Sequence, residues 1–194
     1  MDDLRTGPDG LERCGWVGDD AEYRRYHDEE WGVPLHGDRA LFEKLSLEAF
    51  QSGLSWITIL KRRPSFRAAF AGFDPAAVAA YGEADVERLL ADAGIIRNRA
   101  KVLATIANAR IVAALAPGEL DALIWSFAPP PAPARRSLAE VPATTEASTA
   151  LSADLRGRGL RFVGPTTGYA LMQSAGLVHD HLEGCHRFDP AQVL

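Results

Sequence analysis

Glu48 is the side chain whose position most invites a chemical reading. It follows Leu41 by seven residues and Leu45 by three, so on a helix it falls on the apolar stripe that those leucines define. A carboxylate on a buried face is costly unless it is paired or used. Gln51-Ser52-Gly53-Leu54-Ser55-Trp56 follows directly, a block in which one helix stops at small residues, Leu54 is exposed and a second helix begins. Trp16, Tyr23, Tyr26 and Trp31 crowd the N-terminal region. A carboxylate among several large π faces suits a flat, cationic heteroaromatic ring. The same aromatics would also serve as ordinary core, and an arginine or backbone donors would equally satisfy the Glu.

The chain has two cysteines, and each lies near a histidine: Cys14 precedes His27, and His181 with Cys185 makes His-x3-Cys. Two thiolates and two imidazoles suit a closed tetrahedral zinc site, which would clip the two ends of the chain together. The spacing leaves the histidines open, since His179 or His186 could replace His181 and His36 could replace His27. Free buried thiols or a disulfide are the alternatives. The beginning Met-Asp-Asp-Leu-Arg lacks the basic and apolar regions of a signal peptide, so a reducing, cytoplasmic setting is expected.

Gly94-Ile95-Ile96-Arg97-Asn98-Arg99 separates two helical patterns. A tight turn entering a helix N-terminus presents backbone N–H groups and a positive dipole end to a phosphate. Arg97, Arg99 and Lys101 would reinforce it. The formal charge of −5 taken alone opposes a nucleic-acid partner, but residues 1–30 hold ten acids and four bases, leaving the remainder near +1. Bases then cluster at 61–67, 97–101 and 156–161, and local clusters make a phosphate footprint.

The elements that must position these residues read as helices. Asp38 is the expected N-cap of a helix to about Gln51, and Trp56 starts another that should stop before Pro64. Asp74-Pro75 opens the next, and Asp85 should cap a helix over Val86–Ala93. Further helices are expected from about Val102 to Pro117, over 119–127, from Ser148 to Leu155 and over Thr167–Ala175. Prolines at 129, 130, 131, 133 and 142 mark residues 128–142 as a surface loop. No strand pattern exceeds a few residues, so the class is all-α. With 194 residues and 47% apolar composition the chain suits one domain with a small lobe, and no apolar run is long enough to span a membrane.

Ordered blocks then carry a resemblance. Arg-Cys-Gly-Trp at 13–16, Tyr-His-Asp-Glu-Glu-Trp-Gly-Val-Pro at 26–34 and Leu-Glu-Ala-Phe-Gln-Ser-Gly-Leu-Ser-Trp at 47–56 are followed by Asp-Ala-Gly-Ile-Ile-Arg-Asn-Arg at 92–99. Phe-Val-Gly-Pro-Thr at 162–166 and Met-Gln-Ser-Ala-Gly-Leu-Val-His-Asp-His at 172–181 complete them. The chain resembles the 3-methyladenine DNA glycosylase I family, within the helix-hairpin-helix glycosylases.

The resemblance implies one structural zinc ion on Cys14, His27, His181 and Cys185. It implies that Glu48 lines a base pocket, with Tyr26 and Trp56 stacking on the base and Trp16 and Tyr23 completing the walls. Gln51 and Leu54 would fill the gap left by a flipped nucleotide, and Gly94, Ile96, Arg97, Arg99 and Lys101 would grip the backbone. The implied layout is an acidic flexible tail at 1–11, a zinc lobe from 12–38 with 165–190, and a helical domain at 39–164 with its hairpin at about 85–116. The implied partner is double-stranded DNA containing alkylated adenine, and the expected state a monomer. A general aspartate of the wider superfamily has only Glu119, Asp121 and more distant acids as candidates. A DNA-binding module without activity, or a hydrolase with catalytic zinc, are the competing readings; four protein ligands would leave no open metal position for water.

Overall fold

The computed structural model describes residues 2–193. A short hairpin, β1 (Leu4–Thr6) and β2 (Glu12–Cys14), precedes α1 (Ala21–Glu29), α2 (Asp38–Gln51), α3 (Trp56–Ala69) and α4 (Pro75–Ala79). Then come α5 (Glu83–Ala91), α6 (Arg99–Ala113), α7 (Glu119–Trp125), α8 (Glu146–Gly157) and α9 (Pro165–Ser174). Helix dominates, as the sequence suggests. None of these helices is long and apolar enough to cross a membrane.

α2 is the central helix. Leu41, Phe42, Leu45, Leu47 and Phe50 are all buried because α3, α6, α7 and α9 surround it. A helix enclosed on most sides needs apolar residues beyond a single stripe, and α2 has them. Asp38 does not cap its own helix. Its carboxylate instead accepts from Gly118 N at 2.7 Å and Asp121 N at 2.9 Å, at the start of α7. Asp121 returns the favour by accepting from Gly37 N at 2.7 Å, so two helix N-termini far apart in sequence cap each other.

Other boundaries moved for physical reasons. α3 continues through Pro64 to Ala69. An interior proline costs about 3 kcal/mol, but Pro64 is exposed while Ala69 is buried and Phe66 packs on Phe50 and Phe70. α5 starts before Val86, with Asp85 in its first turn accepting from Gly82 N at 3.1 Å. Thr145, not Ser148, caps α8, and Ser148 completes the box by accepting from Thr145 N at 2.8 Å.

Part of the stretch expected as a flexible tail at 1–11 takes part in the hairpin. Leu4–Thr6 pairs antiparallel with Glu12–Cys14, Leu4 lying opposite Cys14. Asp9 closes the hairpin through Arg13 at 2.7 Å, and Asp3 accepts from Leu138 N at 2.7 Å. Asp3 and Asp9, two of the acids in this stretch, are thus committed to partners. Residue 1 lies outside the described residues.

Candidate functional site

Between α1, α2, α3 and α9 lies a cavity of about 200 Å³ into which Glu48 faces. Tyr23 and Tyr26 enter from α1, Trp56 from the first turn of α3, and Ser174 from the end of α9; Trp16 and Trp31 flank α1. Tyr26 and Trp56 meet at 5.4 Å between ring centres and 46° between planes. Trp16 lies 5.0 Å from both Tyr23 and Trp31. The structure thus gathers Glu48, Tyr26, Trp56, Trp16, Tyr23 and Gln51 around one opening.

Glu48 is only 4% exposed. Burial pushes its carboxyl up to about 7, against the opposing pull of the Lys44 charge and the Ser174 hydroxyl. Ser174 Oγ donates to its Oε1 at 3.0 Å, its one side-chain hydrogen bond among the described residues. Burial first, then the Glu48 charge, raises Tyr23 to about 12 and Tyr26 well above its ordinary value, so both phenols stay neutral. The Trp56 indole N–H is buried without a partner among the described residues.

Several lining residues were not singled out from the sequence. Asp180 accepts from Tyr169 Oη at 2.5 Å, Gln173 Nε2 at 2.8 Å and Arg135 Nε at 2.9 Å, and forms part of the wall with Gln173. Leu138 and Val141 come from the proline-rich segment, which is therefore a wall of the cavity as well as a surface loop. Ser174 lay within the Met-Gln-Ser block at 172–174, where only a helical register could have aimed it at Glu48. Glu119 and Asp121 are absent from the cavity; both act at the α7 end of the molecule, Glu119 accepting from Ala116 N at 3.0 Å.

Beside the opening, the α2–α3 turn presents Leu54, which is 41% exposed. Gly53 there has φ of +81°, a value that needs glycine and lets the chain turn sharply. Lys101 is not at the surface. Only 7% exposed, it donates to Phe50 O at 2.8 Å and Ser52 O at 2.7 Å, holding that turn rather than offering a charge to phosphate. A cation at the end of α2 satisfies carbonyls that the helix leaves free.

Residues 92–98 connect α5 to α6. Gly94 has ordinary φ but a Cβ there would stand 2.9 Å from Ser65 Cβ, so the close approach to α3 demands glycine. The N–H groups of Ile96 and Arg97 have no partner among the described residues, and the Arg97 side chain is exposed and unpaired among them. Arg99 is exposed but already bonded to Glu83 at 2.6 Å. Asn98 caps α6 by accepting from Lys101 N at 3.1 Å.

The four residues read as ligands do meet. Donor atoms of Cys14, His27, His181 and Cys185, all buried, lie within 4.8 Å of one another, and the cysteines are unbridged. Cys185 Sγ is 3.5 Å from His27 Nε2 and 3.7 Å from His181 Nδ1, with Cys14 Sγ 3.9 Å from His181 Nδ1. Tetrahedral zinc with ordinary bond lengths requires edges of about 3.6 Å, so the donor set fits a metal of that kind. Each imidazole is aimed by its other nitrogen: His27 Nδ1 lies 2.7 Å from Asp28 and His181 Nε2 3.1 Å from the Trp31 carbonyl. Arg13 in turn grips Asp28 at 2.6 Å. The Cys185 sulfur beside it, then burial, hold the Cys14 thiol far above its ordinary range. Only a bound cation would let both sulfurs ionise together. His186 contacts Asp28 at 2.9 Å, His179 accepts from Asp189 N at 3.1 Å, and His36 pairs with Asp121 at 3.0 Å; none is in the cluster.

Comparison with known proteins agrees with this geometry. The profile of the family described as methyladenine glycosylase matches residues 16–188. DNA-3-methyladenine glycosylase 1 of Escherichia coli (strain K12) is 51% identical over 180 residues, covering 90% of this chain and 96% of that protein. The DNA-3-methyladenine glycosylase of Haemophilus influenzae is 47% identical over 177 residues, covering 89% and 96%. A crystal structure of 3-methyladenine DNA glycosylase I superposes with a TM-score of 0.87 at 48% identity, covering 91% of this chain and all of that one. The Staphylococcus aureus enzyme, solved for its recognition of 3-methyladenine, gives 0.83 at 32% identity, covering 94% and 97%. Sequence and helical frame both agree with these relatives, and the chain belongs to the methyladenine glycosylase family.

Proposed function

We propose that this chain is a DNA glycosylase that excises 3-methyladenine from alkylated DNA. The observation that carries the reading is Glu48, a buried carboxylate with one hydrogen bond, facing a cavity walled by aromatic rings. Methylation at N3 gives adenine a positive charge, so the base is already a good leaving group. Recognition then matters more than acid catalysis. The Glu48 carboxylate attracts the cation, and Tyr26 and Trp56 stack on an electron-poor ring more strongly than on ordinary adenine. Ser174 fixes the Glu48 carboxylate for that contact.

The cavity admits a base only after the nucleotide has rotated out of the duplex, at a cost of a few kcal/mol that is lower at a damaged pair. Leu54 and Gln51, at the rim, would occupy the space it leaves. The helix-hairpin-helix would be α5, residues 92–98 and α6, with the free N–H groups of Ile96 and Arg97 and the Arg97 charge available to a backbone phosphate. As the bond from C1′ to the base nitrogen breaks, its electron pair goes to the base, which departs neutral. Water adds to C1′ and its proton passes to solvent.

Strand cleavage needs an amine nucleophile, and the three lysines are otherwise placed. Lys61 pairs with Asp20 at 2.5 Å, Lys101 caps carbonyls, and Lys44 does not line the cavity. The reaction would therefore stop at the abasic site. Cys14, His27, His181 and Cys185 would hold one structural zinc ion, whose four protein ligands leave no position for a reacting water.

The test is incubation with methylated duplex DNA and chromatography of what is released. Free 3-methyladenine with intact strands is expected. Glu48→Gln should slow release about 10- to 100-fold, the value of a hydrogen bond to a charged group. Equal rates for wild type and Glu48→Gln would refute the assignment.

A further inference from the structure

α2 carries a second buried charge one helical turn before Glu48. Lys44 is 7% exposed, and its ammonium lies 5.0 Å from the Tyr26 ring centre and 5.4 Å from that of Trp56. It lines a separate cavity of about 190 Å³, where Glu29, Glu30, Glu43 and Arg63 also stand. Ser174 is common to both cavities. The acids near Lys44 have other partners: Glu30 takes Arg63 at 2.8 Å and Glu43 takes Arg67 at 2.7 Å. Lys44 makes no ion pair or hydrogen bond among the described residues. A buried ammonium with only two π faces for support is costly. Among the described residues, Glu48 is the buried carboxylate near it that has no ion pair.

We propose that Lys44 is a positioning residue for recognition: set over the Tyr26 and Trp56 rings and one turn before Glu48 on α2, its ammonium is the counter-charge of the Glu48 carboxylate that meets a cationic base. The inference rests on reading this cavity as the base site. Glu48 is faced by Lys44 from α2, by Tyr23 and Tyr26 from α1, by Trp56 from α3 and by Ser174 from α9. Lys44 is faced in addition by Glu43 on its own helix, by Glu30 after α1 and by Arg63 on α3. Of these, Lys44 is the charge that offsets burial at Glu48. Burial also draws Lys44 itself below its ordinary value, so each ion depends on the other. The ammonium repels a bound cationic base, but from outside the cavity, and that repulsion fades as the base becomes neutral.

The experiment compares wild type, Lys44→Met, Lys44→Arg and Glu48→Gln by two readouts across about pH 5.5 to 9. One is the carboxyl carbon signal of Glu48 in the free protein. The other is single-turnover release of 3-methyladenine from methylated duplex DNA, whose cationic base does not titrate. Methionine preserves length and apolar packing without the charge. Removing a cation raises the carboxyl pKa, so the acid limb moves to higher pH. We expect a rise of about one pH unit in Lys44→Met, seen as about a five-fold lower rate at pH 7 and convergence with wild type near pH 9. Lys44→Arg should keep the wild-type profile, and Glu48→Gln should lose the limb. An unmoved carboxyl midpoint in folded Lys44→Met overturns the proposal. A shifted midpoint in a protein that releases no base would uphold the charge pairing and overturn the reading of the cavity instead.

Discussion

The aromatic cavity and the Cys/His cluster are neighbours, with Trp16 packed on His27 at 5.3 Å and Trp31 on His181 at 4.6 Å. Both are buried and polar, yet they are satisfied differently. In the cluster both imidazoles have a fixed outer partner, and the sulfurs accept from Leu182 N and Arg187 N at 3.4 Å. At the cavity, among the described residues, Glu48 has one hydrogen bond and the Trp56 N–H has none, and beside it Lys44 rests on π faces. A complete shell around four donors fixes structure, whereas incomplete partnering leaves free energy to be released by an incoming ligand.

The largest expected effect breaks the satisfied side. Cys14→Ser, or a strong chelator, should lower the thermal midpoint by about 10 °C and abolish base release in parallel, measured by helical circular dichroism. Activity lost with an intact fold would instead make the metal a participant in the reaction. Because Asp28 aims His27, Asp28→Asn should weaken metal affinity about ten-fold or more in a chelator competition, before any loss of helix.

On the unsatisfied side the sign reverses, because the cavity sacrifices stability. Glu48 folds with a carboxyl at about 7, above its ordinary 4.5, so the folded state binds the proton more tightly. That contribution is present below about pH 4.5 and disappears as pH rises through 7, amounting to about 3 kcal/mol. Wild type should therefore lose stability relative to Glu48→Gln between pH 5 and pH 8, by denaturant titration; parallel curves would remove the contrast between the two regions. The smallest effects belong to the hairpin. Arg97→Ala should weaken DNA binding a few-fold and reduce the salt slope by about one, while Arg99→Ala, already paired with Glu83, should change less.

The proline-rich segment and Lys101 show where reading from sequence stopped. Five prolines say that residues 128–142 are not helix, but not that Leu138 and Val141 close a cavity built by distant helices. Lys101 sits in a basic run and reads as a phosphate ligand until the packing of α6 on the end of α2 turns it toward two carbonyls. Asp38 follows the same logic, capping α7 across the fold in place of its own helix. In each case the residue type was informative and its partner lay far along the chain.

By itself the sequence determined the helices, the apolar stripe that makes Glu48 conspicuous, and the Cys and His residues able to meet at a metal, because periodicity and residue chemistry are local properties. Tertiary structure alone decided that Ser174 holds Glu48 and that Lys44 rests on the Tyr26 and Trp56 rings. Those facts depend on the register in which α1, α3 and α9 pack around α2. Burial, which sets the charge on Glu48, exists only once that packing is complete.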